Sequence, residues 1–282
     1  MELDNNKAMP QLIQVVSDLH TEFHAEKQKF DFLKPTAPIL ALLGDIGCCG
    51  SDDDFEVFKR VILEILSKYE KIIFVPGNHE YYFNPEKSTP PTEANTMDAI
   101  DKRIRTFFKQ TDSDKLIFLS NSSTTIQTKR HTYCIIGSTL WSYIWEEQYK
   151  FIQENMSDYS YIYVMDGKKP RKITPADISN LNIKNVKYIK SQIKKAGELG
   201  QKAIVLTHHK PYYSDKYTSS PILQAYENDL SMLFKPPLQL WAYGHTHLAD
   251  KSVIQGVTFY SNPKGYPRQK TKFDAKATIS LA

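Results

Sequence analysis

The sequence predicts an α/β fold built on a parallel sheet. Three observations carry this. Pro38-Ile39-Leu40-Ala41-Leu42-Leu43 is a continuous apolar run closed by Gly44-Asp45, the pattern of a strand buried on both faces. Four other strand-like runs end in the same kind of polar turn. They are Leu12–Val16 before Ser17-Asp18-Leu19-His20, Lys71–Pro76 before Gly77-Asn78-His79-Glu80, Ala203–Leu206 before Thr207-His208-His209-Lys210-Pro211, and Leu238–Tyr243 before Gly244-His245-Thr246-His247. Segments of helical spacing lie between several of these runs. Open α/β sheets bind ligands beyond the carboxyl ends of their strands, so Asp45 is expected at the centre of five converging turns.

In chain order, the strand over 12–16 leads to Asp18 and His20. His24, four residues on, reads as a surface or packing histidine. After the strand ending at Asp45, the acidic loop Ser51–Asp54 caps a helix expected from about Phe55 to Tyr69, with Phe55, Phe58, Ile62, Ile65 and Leu66 on its apolar face. The strand over 71–76 delivers Asn78 and His79. Pro85, Pro90 and Pro91 mark a loop, and a second helix is expected over Ala94–Lys109. Strands near Leu116–Leu119, Thr124–Thr128 and Thr132–Gly137 suggest antiparallel or mixed pairing. Trp141–Pro175 holds two of the three tryptophans. A charged helix is expected over Ile178–Leu199 and another over Leu223–Phe234. The tail from Ser252 reads as one or two hairpins around Gln255-Gly256, closing in Asn262-Pro263-Lys264-Gly265-Tyr266.

At 282 residues, with 41% apolar and 24% charged residues, the chain has the composition of a globular protein with a sizeable core. No linker, repeat or low-complexity tract divides it, so one domain over 1–282 is expected. The net charge of +4 is spread along the chain. The basic bias of Lys184–Lys195 falls at helical spacing and reads as a solvated face rather than a nucleic-acid stripe. The three cysteines, Cys48, Cys49 and Cys134, lack framework or CxxC spacing, which fits a reducing, cytoplasmic setting. The polar start, Met1 to Gln11, has no apolar core of a leader, and no stretch reaches the length of a membrane span.

Of the eight histidines, six lie in the five strand-end turns: His20, His79, His208, His209, His245 and His247. Together with Asp18, Asp45 and Asn78 they form a mixed nitrogen and oxygen donor set. Such a set suits Mn²⁺, Fe²⁺, Zn²⁺ or Co²⁺ rather than Ca²⁺ or Mg²⁺. The donors exceed the needs of one tetrahedral ion, so two divalent ions are expected. Pairs of that kind sit ~3.5–4 Å apart and serve in-line displacement at phosphorus. Four positive charges against the carboxylates of Asp18 and Asp45 favour an anionic substrate and a metal-bound hydroxide.

The order Asp-x-His, Gly-Asp, Gly-Asn-His-Glu, His-His-x-Pro and Gly-His-x-His resembles that of the calcineurin-like metallophosphoesterases, from about Gln14 to Tyr266. The resemblance implies a four-layer α/β/β/α sandwich of two mixed sheets flanked by helices, with a metal-bridging hydroxide attacking a phosphomonoester or phosphodiester. It implies Asp18, His20, Asp45 and His247 as ligands of one ion, and Asp45, Asn78, His208 and His245 as ligands of the other. His79 then contacts the phosphate, and His209 is not expected to ligate. Many members carry Asp or Tyr three residues after the bridging Asp, where the Asp orients the catalytic His. Here Cys48 stands in that position, which argues against the purple acid phosphatases and leaves His79 without that partner, as general acid or as electrostatic stabiliser. Gly137–Ser142, Met156-x-Asp158-Tyr159, Thr174–Asp177 and Asn262-Pro263-x-Gly265-Tyr266 look like a group of small bacterial-type cytosolic phosphoesterases.

Trp141–Pro175 is expected to be a lid or wall over the metal site, with Asp158, Tyr159 and Arg171 meeting substrate and Lys168, Lys169 and Lys172 near phosphate oxygens. The expected partner is a phosphorylated small molecule or nucleotide. A nuclease of the same fold is the alternative within the class, and a metal-free protein-binding scaffold is the alternative outside it.

Overall fold

Two sheets face each other across a shared apolar core. The computed structural model describes residues 11–23, 32–85, 90–112, 114–214 and 221–281; His24 and the first ten residues lie outside them. The first sheet contains β1 (Gln11–Val16), β2 (Ile39–Leu43), β3 (Lys71–Val75), β4 (Leu116–Phe118) and β13 (Thr278–Leu281), in the order β13-β1-β2-β3-β4. The second contains β5 (Ser122–Gln127), β6 (Thr132–Ser138), β9 (Lys202–Thr207), β10 (Leu238–Tyr243), β11 (Asp250–Ile254) and β12 (Val257–Ser261), in the order β11-β12-β10-β9-β6-β5. The inner strands pair in parallel, and β13, β5 and β11 pair antiparallel at the edges.

Alternation along each strand explains the layering, because successive side chains point to opposite faces. Ile39, Ala41, Leu43, Ile73 and Val75 meet Ile135, Ile204, Leu206 and Ala242 between the sheets. The intervening Leu40, Leu42, Ile72 and Phe74 face outward onto Phe58, Ile62, Ile100, Ile104 and Phe108, from helices α1 (Asp52–Leu66) and α2 (Met97–Asp112). On the far side Ile136, Val205, Trp241 and Phe259 pack with Ile189 and Ile193 of α5 (Pro175–Glu198). This is the expected sandwich of two mixed sheets between helices. Both-face burial is why β2 reads as an unbroken apolar run.

Helix α1 begins at Asp52, three residues before the expected start. Ser51 is its N-cap and accepts from Asp54 N at 3.1 Å, so the acidic residues form the first turn, where the helix dipole favours them. Helix α5 likewise starts early, at Pro175, through a capping box of Thr174 and Asp177 with proline in the first turn. The helix expected over Leu223–Phe234 does not form. Only short 3₁₀ turns occur there, at Pro221–Ala225 and Ser231–Leu233. The backbone between them is pinned to the turn after β9 instead, with Asn228 N donating to Lys210 O at 3.0 Å and Lys210 N to Tyr226 O at 3.2 Å.

The Trp141–Pro175 segment contains α3 (Tyr149–Asn155), α4 (Asp158–Tyr161) and a hairpin of β7 (Tyr163–Asp166) and β8 (Lys169–Lys172). Trp141, Ile144, Ile152, Met156, Tyr159, Ile162 and Ile173 all belong to the core over α1 and α2. Among the described residues, no helix is long and apolar enough to cross a membrane.

Candidate metal centre

The five turns come together at the carboxyl ends of β1, β2 and β3 from one sheet and β9 and β10 from the other. The backbone there is unusual. Asp18, His20, Asp45, His245 and His247 all have positive φ, between 49° and 66°. Non-glycine residues rarely adopt this conformation, and such positions cluster at functional sites. Each tight left-handed turn aims its side chain back over the strand end. The approach is close enough to require glycine at two points. A Cβ on Gly44 would lie 2.5 Å from both Gly77 N and His208 Nδ1, and one on Gly77 would collide with Asp45 Oδ1.

Hydrogen bonds fix the turns relative to each other. The buried Glu80 carboxylate accepts from Asp45 N at 2.9 Å, Ile46 N at 2.7 Å and Gly77 N at 2.6 Å, so it joins the β2 and β3 turns. Asp45 Oδ1 accepts from His79 N at 2.9 Å, and Asp18 Oδ1 accepts from His245 N at 3.1 Å, tying the two sheets together. The Asn262–Tyr266 stretch closes over β1: Asn262 Nδ2 donates to Val15 O at 2.8 Å, and Lys264 N and Gly265 N donate to Ser17 O and Asp18 O at 2.9 Å each.

The donor set fits two cations. On one side His20 Nε2 and His247 Nε2 are 3.0 Å apart. His20 Nδ1 faces Glu22 Oε1 at 3.0 Å, and His247 Nδ1 faces Gln269 Oε1 at 2.7 Å. Gln269 Oε1 also accepts from Tyr266 N, so it is the amide oxygen. These partners only accept, so each Nδ1 carries a proton and each ring turns its Nε2 toward the other. Asp18 Oδ1 lies 3.4 Å from His247 Nε2, and Asp45 Oδ2 lies 3.8 Å from His20 Nε2. On the other side His208 Nδ1 donates to Leu43 O at 2.8 Å, while its Nε2 faces Asn78 Oδ1 at 3.1 Å, His245 Nδ1 at 3.1 Å and Asp45 Oδ1 at 3.3 Å. His245 Nε2 is buried without a partner. Acceptors facing one another at this range repel unless a proton or a metal ion stands among them. Asp18/His20/His247 and Asp45/His208/His245 each bring their ligand atoms within 4.8 Å of one another.

Electrostatics report the same demand for positive charge. Burial lowers the pKa of His208, but Asp45 beside it outweighs burial and raises it to about 10. Burial also opposes charge on His79, and Asp45 and Glu22 raise it to about 9. Asp45, buried among these rings, is pushed well below the usual carboxylate range by His208 and His79 despite its desolvation. Ligands must be deprotonated to bind a metal, so an ion at His208 takes the place of a proton.

The remaining expected residues fall as follows. His209 lies outside both groups. Its Nδ1 donates to Thr139 O at 3.3 Å, and burial followed by the charge of His208 lowers its pKa to about 3. Three residues expected to meet substrate do not reach the cavity wall. Asp158 is 4% exposed and sits behind Asn78, accepting from Asn78 Nδ2 at 2.8 Å and Tyr82 Oη at 2.6 Å. Tyr159 packs in the core. Arg171 pairs through Nη1 with Asp177 at 2.6 Å, at the head of α5. Hydrogen bonds from Asn78 and Tyr82, apolar packing and helix capping engage these side chains in turn. Asn155, Met156, Ser157 and Tyr161 are what the segment gives to the cavity. Four participants were not singled out from sequence. Glu80 shows only as the end of the Gly-Asn-His-Glu run, whereas Glu22, Gln269 and Tyr226 carry no local signal. Tyr226 stacks on His245 at 4.7 Å, and Glu22 accepts from His79 Nδ1 at 2.8 Å. His79 is therefore not without a carboxylate partner, although Cys48 supplies none.

A cavity of about 810 Å³ opens over the centre, with Phe23, Tyr82, Tyr161, Tyr226, Tyr266 and Leu248 among its walls.

Comparison with known proteins agrees with this architecture. The family model "Calcineurin-like phosphoesterase" matches residues 12–249, and the chain belongs to that family. Members are dimetal enzymes that hydrolyse phosphoesters with the help of their metals. The chain is 32% identical to "Uncharacterized protein L509" of Acanthamoeba polyphaga mimivirus, with 96% of each covered. Among solved structures it is similar to phosphopantetheinyl hydrolase of Mycobacterium tuberculosis, at 16% identity and a TM-score of 0.65 over 92% of this chain and 91% of that one. A dimetal phosphatase of Danio rerio is 13% identical, with a TM-score of 0.49 over 89% of this chain and 87% of that one.

Proposed function

We propose that the chain hydrolyses the phosphoester of a small molecule at a two-metal centre. Asp45 is shared by the two ions, Asp18, His20 and His247 complete one ligand set, and Asn78, His208 and His245 complete the other. The observation that carries this is the convergence of acceptor atoms on either side of one carboxylate, with His208 Nε2 3.3 Å from Asp45 Oδ1 and His20 Nε2 3.8 Å from Asp45 Oδ2. When bound, such ions act as Lewis acids on phosphoryl oxygens and lower the pKa of water toward ~7. The nitrogen-rich set favours Mn²⁺, Fe²⁺, Zn²⁺ or Co²⁺. His79 turns Nε2 toward the centre, 3.9 Å from Asp45 Oδ2. A ring held by Glu22 and stacked on Tyr82 at 4.2 Å is placed to donate to a phosphate oxygen and stabilise its developing charge.

The aromatic walls support a substrate with a flat or apolar organic group, such as a nucleotide, beside its phosphate. Trp141–Pro175 serves as a packed wall within one domain over 1–282, with Tyr161 and Met156 toward substrate. Free Cys48, Cys49 and Cys134 support a cytoplasmic setting. The Gly137–Ser142 and Asn262–Tyr266 motifs support placement with small bacterial-type phosphoesterases.

Chelated protein reloaded with Mn²⁺, Fe²⁺, Zn²⁺ or Co²⁺ is assayed on aryl phosphate mono- and diesters, nucleotides, cyclic nucleotides and oligonucleotides. The expected result is metal-dependent hydrolysis of small esters, faster for nucleotides than for minimal aryl esters. Hydrolysis of none of them would overturn the reading, and preference for oligonucleotides would favour a nuclease.

A further inference from the structure

We propose that Glu22 is a positioning residue for the centre: one of its carboxylate oxygens holds the His79 and His20 rings together and fixes which nitrogen each presents. This rests on the phosphoesterase reading above. Glu22 lies in a 3₁₀ turn, Thr21–Phe23, directly after the left-handed His20. Backbone bonds lock that turn onto the Asp45 turn, with His20 N donating to Asp45 O at 2.9 Å and Thr21 N to Ile46 O at 3.0 Å. The location of Glu22 is thus set by main chain, independently of the rings it meets.

Glu22 Oε1 accepts from His79 Nδ1 at 2.8 Å and from His20 Nδ1 at 3.0 Å. The ring centroids of these histidines are 4.5 Å apart, edge to face, which lets one oxygen reach both. A carboxylate accepts only, so both rings keep a proton on Nδ1 and direct Nε2 inward. His20 Nε2 then faces His247 Nε2 at 3.0 Å, and His79 Nε2 faces Asp45 Oδ2 at 3.9 Å. The other Glu22 oxygen is buried and takes no hydrogen bond, so the two rings are what the carboxylate serves. Cys48, three residues past Asp45, is kept as a neutral thiol by burial and offers no acceptor of this kind. One oxygen thereby links a metal-side ring and a substrate-side ring, and its loss should reach both.

The test compares Glu22→Ala and Glu22→Gln with the wild type. ¹⁵N NMR of imidazoles in Zn²⁺-loaded protein should show His20 and His79 protonated on Nδ1 in the wild type and in Glu22→Gln, which retains an acceptor oxygen. The His79 Nδ1–H resonance should lose its hydrogen-bonded downfield position in Glu22→Ala. Calorimetric titration should show Zn²⁺ affinity lowered ~10–100-fold in Glu22→Ala, the usual cost of losing a partner of a ligating histidine, with most of it regained in Glu22→Gln. At saturating Mn²⁺, Glu22→Ala in a His79→Ala background should reduce turnover no further. Glu22→Met, similar in size and without an oxygen, replaces Glu22→Ala if that variant does not fold. An unchanged His79 Nδ1–H resonance, additive effects on turnover, or outright loss of one ion in Glu22→Gln would each overturn the proposal, the last by making Glu22 a ligand. The NMR and titration arms need no substrate, so failure to hydrolyse any ester would count against the function and not against Glu22.

Discussion

The strand-end turns and the Trp141–Pro175 segment border the same cavity by different means. Each turn is a few residues long and hangs from a buried strand, and those after β1, β2 and β10 carry their functional side chains on left-handed backbone. The segment is held by apolar side chains sunk in the core, and it turns only a few polar and aromatic groups to the cavity. The difference teaches where precision comes from. Metal ligands must be placed to a fraction of an ångström, and rigid strand ends with hydrogen-bonded backbone supply that. A substrate wall tolerates looser placement, so packing suffices.

The largest effect that would break this contrast is at Asp45. Asp45→Ala should reduce turnover by more than the ~10²–10³ typical of one preorganised donor, and elemental analysis should find fewer ions at both positions. Two ions per chain with activity intact would remove Asp45 from its central place.

Asp158 sharpens the comparison, because it belongs to the segment yet acts on a turn. Its carboxylate takes Asn78 Nδ2 at 2.8 Å and so leaves Asn78 Oδ1 toward His208. Asp158→Ala should weaken metal binding ~10–100-fold while leaving KM at saturating metal nearly unchanged. A raised KM with normal metal affinity would return Asp158 to the substrate.

The smallest effect is expected at Arg171, at the far edge of the segment. Its hydrogen bond to Asp177 is the main reason that carboxyl sits at about 2, below its ordinary value of 3.8. A carboxyl with a depressed folded-state pKa stabilises above pH ~4, and that contribution fades as pH falls toward 2. Arg171→Ala should therefore lower thermal stability slightly at neutral pH, by under ~1 kcal/mol for a half-exposed pair. The difference from wild type should shrink in acid, and turnover should stay the same. A selective fall in turnover would move Arg171 into the cavity.

The turns were legible in sequence because each proposed ligand stands within a few residues of an apolar run, and burial on both faces of a parallel strand leaves a local signature. Asp18, His20, Asp45, Asn78, His208, His245 and His247 were all read that way, and the sandwich followed from the same motifs. Glu22 and Gln269 were not legible. Each is a lone polar residue in a short turn, and a histidine it engages lies 57 or 22 positions away. Asp158, Tyr159 and Arg171 lie off the cavity wall for the converse reason: their composition suits a ligand loop, and only the fold shows that Asn78, the core and the α5 cap respectively engage them. The helix expected over Leu223–Phe234 failed because the β9 turn competes for its backbone.

The central claim is two metal ions on either side of one carboxylate. Anomalous diffraction from crystals grown with Mn²⁺ tests it most directly. Two peaks ~3.5–4 Å apart are expected, one among Asp18, His20, Asp45 and His247 and the other among Asp45, Asn78, His208 and His245. A single peak, or peaks away from Asp45, would contradict it.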